Sequence, residues 1–89
     1  MDVVISYHAR FEIVSRQLSE EVVRNVAQYP QRVVKLKKGR KVCQSKYHDL
    51  AAEGREMLLR VICEERQGRL LVITAYRTSK MDKYWAKED

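Results

Sequence analysis

The sequence predicts an α+β domain in which two N-terminal helices pack on one face of an antiparallel sheet and a short helix closes the chain. Three observations carry this. A capped apolar stripe of helical spacing, "LSEEVVRNVAQYP", ends at Pro30. Beyond that proline the apolar residues recur at every second position rather than every third or fourth. Glycines at 39, 54 and 68 then separate successive strand-like runs. The sheet has four strands, or five if the leading "DVVIS" pairs with it. The 89 residues form a single domain, 1–89.

The opening helix is read from "YHARFEIVSRQ", where Tyr7, Phe11, Val14 and the following Leu18 fall three and four apart. The second helix starts at Ser19, whose hydroxyl can accept from a free N–H of the first turn. Glu20 and Glu21 sit where the helix dipole favours negative charge. Leu18 and Val23 have the spacing of a hydrophobic staple, and Val22, Val23, Val26 and Ala27 form the buried stripe. "QRVVKLKKGRKVCQSKY" reads as strand, turn and strand around Gly39, and "HDLAAEGRE" as a polar loop. In "MLLRVICEE", Met57, Leu59, Val61 and Cys63 share one face and Leu58, Arg60, Ile62 and Glu64 the other. Glu64 and Glu65, beside the "RQGR" turn, are expected to be solvated. "LLVITAYR" is apolar on both faces, as a central strand would be. "SKMDKYW" returns to helical spacing and lets Met81, Tyr84 and Trp85 fold back on the sheet.

The net charge is +6 and the isoelectric point near 9.6, which favours polyanionic partners. Residues 30–48 contain Arg32, Lys35, Lys37, Lys38, Arg40, Lys41 and Lys46 and no acidic residue. Such a run is either a solvated face or a contact surface for a polyanion. No apolar run approaches the length of a membrane span, and the N-terminus lacks the basic and apolar regions of a secretory leader. The chain is therefore read as cytoplasmic, with no membrane partner. Cys43 and Cys63 are expected to be reduced, buried thiols. With His8 and His48 they match no zinc spacing, so no metal and no cofactor is expected.

The residues able to do chemistry cluster near the C-terminus. Tyr76, Arg77, Lys80, Lys83, Tyr84 and Trp85 interleave cations with rings. Cations can stabilise the charge that builds on phosphorus when a 2′-hydroxyl attacks its neighbouring phosphate. Tyr and Trp can stack on single-stranded bases. The alternative is a C-terminal turn whose Trp85 plugs the core while its lysines stay wet. His8, with Arg10 and Arg16 nearby, is either a general base or a structural histidine. Arg60 places a cation on the sheet face away from the helices.

Two stretches resemble a small prokaryotic family, domain-of-unknown-function family 4258. "SYHARFEIVSRQLSEEVV" is similar to its S-x-H-A opening with spaced arginines. "LVITAYRTSKMDKYW" is similar to its closing T-x-Y-x-T-S-K and K-Y-W motif. Glu12 stands where such sequences often carry arginine. The matching positions are His8, Arg16, Tyr76, Thr78, Ser79, Lys80 and Tyr84. The family looks like a distant relative of the BrnT and RelE/ParE-type toxins, which implies a RelE-like fold with RNA on the open sheet face. The resemblance implies an endoribonuclease toxin of a prokaryotic toxin–antitoxin pair, acting without metal on RNA that can be ribosome-bound mRNA. On this reading His8 or a deprotonated tyrosine, Tyr76 or Tyr84, is the base. Arg77 and Lys80 stabilise the phosphorane, and Arg16, Lys37, Lys38, Arg40, Lys41, Arg60 and Lys83 bind RNA. The implied protein partner is an acidic or partly disordered antitoxin. The alternative is a non-catalytic nucleic-acid- or protein-binding module of the same fold.

Overall fold

The structure, a computed structural model, describes residues 1–85. These described residues form three helices and one five-stranded mixed sheet. In chain order these are β1 (Asp2–Ile5), α1 (Tyr7–Ser15), α2 (Glu20–Gln28), β2 (Arg32–Lys35), β3 (Arg40–Asp49), β4 (Arg55–Arg66), β5 (Arg69–Thr78) and α3 (Met81–Tyr84). The sheet order is β1-β5-β4-β3-β2. The consecutive strands β2 to β5 form an antiparallel meander, but β1 lies parallel to β5, with Ile5 opposite Val72. The expectation of a purely antiparallel sheet is thus corrected. A strand that precedes two helices returns to the sheet edge beside the last strand, in the same direction as that strand.

Local chemistry accounts for the element ends. Ser6 caps α1 by accepting from Ala9 N at 3.1 Å, and Ser19 caps α2 by accepting from Val22 N at 3.3 Å. Helix α1 stops because Gln17 takes a left-handed conformation, φ 56°, while Leu18 N donates back to Ile13 O at 2.9 Å. Gln67 and Gly68 both have positive φ, as a two-residue turn between twisted strands requires. The polar loop is shorter than "HDLAAEGRE" suggests. Strand β3 runs through His48 to Asp49, and a single 3-10 turn, Leu50–Ala52, leads into β4. The Asp49 carboxylate caps that turn by accepting from Ala51 N at 2.9 Å.

The core lies between the helices and one sheet face. Ala9 and Ile13 of α1 and Val23, Val26 and Ala27 of α2 meet Cys43, Leu59, Val61, Cys63, Leu70, Val72 and Ala75. Both cysteines are free and buried within this cluster.

Helix α1 presents the opposite side from the one its spacing suggested. Tyr7, Phe11 and Val14 are exposed, Tyr7 at 93%. The helix carries two competing apolar stripes, and polar anchors decide between them. Glu12 accepts from the Thr74 hydroxyl, and Arg16 donates to Ala75 O at 2.7 Å. Both bonds turn the Ala9–Ile13 side toward β5, where alanine permits close approach.

Glu64 also differs from expectation. Its side chain is only 13% exposed and pairs with Arg66 at 2.5 Å and Arg40 at 3.7 Å.

Candidate nucleic-acid interface

The sheet face away from α1 and α2 carries a row of four side chains at matched register. Arg32 of β2 lies opposite Gln44 of β3, Gln44 opposite Arg60 of β4, and Arg60 opposite Tyr76 of β5. Directly opposed residues point to the same face of a sheet. The row is held by bonds between its members. Arg60 Nε donates to Gln44 Oε1 at 3.0 Å, and Arg60 Nη1 donates to Tyr76 Oη at 2.9 Å.

The C-terminal turn lies over this row. Gln44 Nε2 donates to Tyr84 O at 3.2 Å, and Arg32 Nη1 donates to Trp85 O at 2.8 Å. The Arg60 guanidinium sits 4.1 Å from the centre of the Tyr84 ring and 5.8 Å from that of Tyr76. Arg32 and Lys46 both lie over the Trp85 ring, at 4.4 and 4.7 Å, and Lys83 lies over Tyr84 at 5.1 Å. Tyr76 and Tyr84 meet edge to face, their centroids 6.5 Å apart. The rings therefore face cations, which stabilises both. Trp85 is half-buried on this face and does not plug the helix-side core.

Arg60 is the unusual member. It is 8% exposed, yet no carboxylate among the described residues is in ion-pair range of it. Its neighbours are a neutral amide, a phenol and two ring faces. A buried charge normally has a partner that offsets its lost hydration. Here the charge is held in place without being cancelled.

The two tyrosines differ electrostatically. Burial pushes the Tyr76 phenol above its ordinary pKa, against the opposing effect of Arg60. The Lys83 ammonium beside half-buried Tyr84 lowers its phenol, with Tyr76 and Arg60 contributing in the same direction. The two phenols are thus shifted in opposite directions.

The structure divides the residues singled out from the sequence. Tyr76, Tyr84, Arg60 and Lys83 come together on this face. Lys80 is exposed at the start of α3, its backbone N–H bonded to Thr78 Oγ1 at 3.1 Å. Lys37 and Lys38 are exposed in the β2–β3 turn, where Lys38 and Gly39 both have positive φ. Arg40 and Lys41 begin β3 beside Glu64 and Glu65, at 3.7 and 3.9 Å. Two cations of the basic run, Arg40 and Lys41, are thereby set beside carboxylates.

His8, Arg16 and Arg77 are not brought to this face. Arg77 pairs with Asp49, donates from Nε to Tyr47 Oη at 3.4 Å and donates to Gln17 O at 3.0 Å. Its guanidinium thus ties β5 to the end of α1. Arg16 pairs with Glu12 at 2.8 Å, and His8 Nε2 lies 3.4 Å from the same carboxylate with its side chain 71% exposed. Glu12 is the hub of this helix-side network. Alternation along β5 separates Arg77 from Tyr76, and neighbouring residues in a strand face opposite ways.

Sequence reasoning missed Gln44, and it placed Arg32 and Lys46 only in the general basic run, not beside Arg60 and the C-terminal rings. The available signal was the alternation in β3, which places Gln44 and Lys46 on one face, together with the antiparallel register to Arg60. Among the described residues, no group of three or more His, Cys, Asp or Glu could hold a metal ion. Among the described residues no helix is long and apolar enough to cross a membrane. No protein-family model matches the chain, and neither a curated protein nor a solved structure matches it.

Proposed function

We propose that the protein binds single-stranded RNA on the sheet face away from α1 and α2, beside the C-terminal turn, and cleaves it without metal, as a RelE-like toxin held in check by an acidic antitoxin. The observation that carries this reading is buried Arg60, charged and free of any carboxylate among the described residues, in register with Arg32 and beneath Tyr84. A phosphodiester supplies a negative charge for Arg60 that no described residue provides. Lys46 and Lys83 add positive charge around it.

The chemistry would be transfer within the RNA chain. The Tyr84 phenolate takes the proton of a 2′-hydroxyl, whose oxygen attacks the adjacent phosphorus. Arg60 and a neighbouring lysine stabilise the phosphorane charge. Tyr76, kept protonated, gives its proton to the departing 5′-oxygen. The products are a 2′,3′-cyclic phosphate and a 5′-hydroxyl. The test is incubation of the purified protein with single-stranded RNA in EDTA. Cyclic-phosphate ends are expected, with none from the same sequence carrying 2′-O-methyl groups. Absence of RNA binding and of any growth effect on induction would sink the reading.

A second reading, a non-catalytic binding module, is favoured by one observation. His8 and Arg77 lie on the helix side, so the histidine and the arginine that the motif suggests as base and phosphate contact do not stand beside Arg60. Salt-dependent RNA binding with no cleavage would select it.

A further inference from the structure

We infer that Gln44 is a positioning residue that aims Arg60 at a phosphoryl anion while leaving its charge uncancelled. The inference rests on the polyanion reading above and specifies the ligand chemistry of that site as a phosphate group.

Gln44 is 0% exposed, and both ends of its amide are used. The oxygen accepts from Arg60 Nε and the nitrogen donates to Tyr84 O. The amide fixes one edge of the guanidinium, and Tyr76 Oη takes one further donor on Nη1. The second Nη is given no acceptor by the described residues. A guanidinium fork recognises phosphate through adjacent donors of this kind. Glutamate has nearly the same shape and would hold Nε as well, but it would supply the missing counterion. The neutral amide gives the same geometry without that cancellation. On the same face Glu64 pairs with Arg40 and Arg66, so carboxylates on this sheet do neutralise arginines where they meet them.

The test compares wild type, Gln44→Met and Gln44→Glu by calorimetric titration with inorganic pyrophosphate, with melting curves to establish folding. Wild type is expected to bind saturably. Gln44→Met removes both amide bonds and keeps the Arg60 charge, so it binds more weakly. Gln44→Glu keeps the bond to Nε and is expected to bind weakest, about tenfold or more below wild type, because a charge-assisted bond to the ligand is replaced by an internal one. A purely structural role gives the reverse order, since glutamate is the closer isostere. Gln44→Glu binding as well as or better than Gln44→Met therefore overturns the inference, as does a wild type with no pyrophosphate affinity. If the expected order appears but RNA does not bind, the phosphoryl site stands and the RNA reading fails. If RNA is bound or cleaved while pyrophosphate is not bound, the RNA reading stands and this inference fails.

Discussion

Asp49, at the end of β3, and Arg77, near the end of β5, form an ion pair on the helix side of the sheet. The Asp49 carboxylate also accepts from the Tyr47 hydroxyl at 2.6 Å and from Ala51 N, while Arg77 donates to Arg16 O and Gln17 O. A single cluster thus joins β3, β5, the 3-10 turn and the end of α1. Arg77 falls within the closing motif that suggested catalysis, but its contacts are those of a fastener. Arg77→Leu is expected to cost about 2–4 kcal/mol in a denaturant titration, because it strands a carboxylate that is mostly buried. Its effect on RNA binding should vanish once the comparison is made where both proteins are folded.

The same cluster makes stability fall at both ends of the pH scale. Burial by itself would raise the Asp49 pKa, but the bonds from Tyr47 and Ala51 and the Arg77 charge outweigh it and leave it lowered. A lowered carboxylate contributes stability above its unfolded pKa of about 3.9, lost as pH falls through the folded value. Tyr47 is pushed up to about 12, first by burial and then by Asp49. A raised phenol contributes stability below its unfolded pKa of about 10, lost as pH rises toward the folded value. Melting temperatures of wild type should drop below about pH 4 and above about pH 10. Asp49→Asn should flatten the acid limb, and Tyr47→Phe the alkaline one.

Helix α1 offers a direct contrast between its two stripes. Ile13 is 3% exposed and Phe11 is 69% exposed. Ile13→Ala should cost about 2–4 kcal/mol through lost burial and the cavity it leaves. Phe11→Ser should stay within about 0.5 kcal/mol, as exposed positions generally do. Equal costs in chemical denaturation would mean that the helix presents the other side.

Trp85 is held by cations rather than by the core. With Arg32 and Lys46 over its ring, Trp85→Ala should cost about 1–2 kcal/mol, well below the 3–5 of a buried tryptophan (order-of-magnitude values). A loss of the larger size on thermal melting would restore the plug reading.

The legible parts of the fold were those written in neighbouring residues. Ser19 with Glu20 and Glu21 announced α2, and Val23, Val26 and Ala27 face the core as their spacing required. The alternation of Leu59, Val61 and Cys63 gave the inner face of β4, and Arg60 its outer face. The parallel pairing of β1 with β5 was not legible, because it joins residues about 67 apart in sequence (Asp2 with Arg69) and leaves no local signature. The orientation of α1 was set by Glu12 to Thr74 and Arg16 to Ala75, pairs 62 and 59 residues apart in sequence. At the candidate site, Tyr76 and Tyr84 were found from residue type and spacing. Gln44 was not, because a glutamine in a strand becomes informative only when register places it against Arg60.

The most direct test of the open face as a polyanion site is Arg60→Met, measured for both stability and salt-dependent RNA affinity. The substitution removes a buried charge that no carboxylate among the described residues offsets, at similar volume. Stability is expected to remain within about 1 kcal/mol of wild type, the loss of two neutral partners' bonds being set against the removed desolvation cost. RNA affinity should fall, and the slope of log affinity against log salt should become shallower by about 0.7. A folded Arg60→Met with wild-type affinity and slope, or one that fails to fold, would contradict the account.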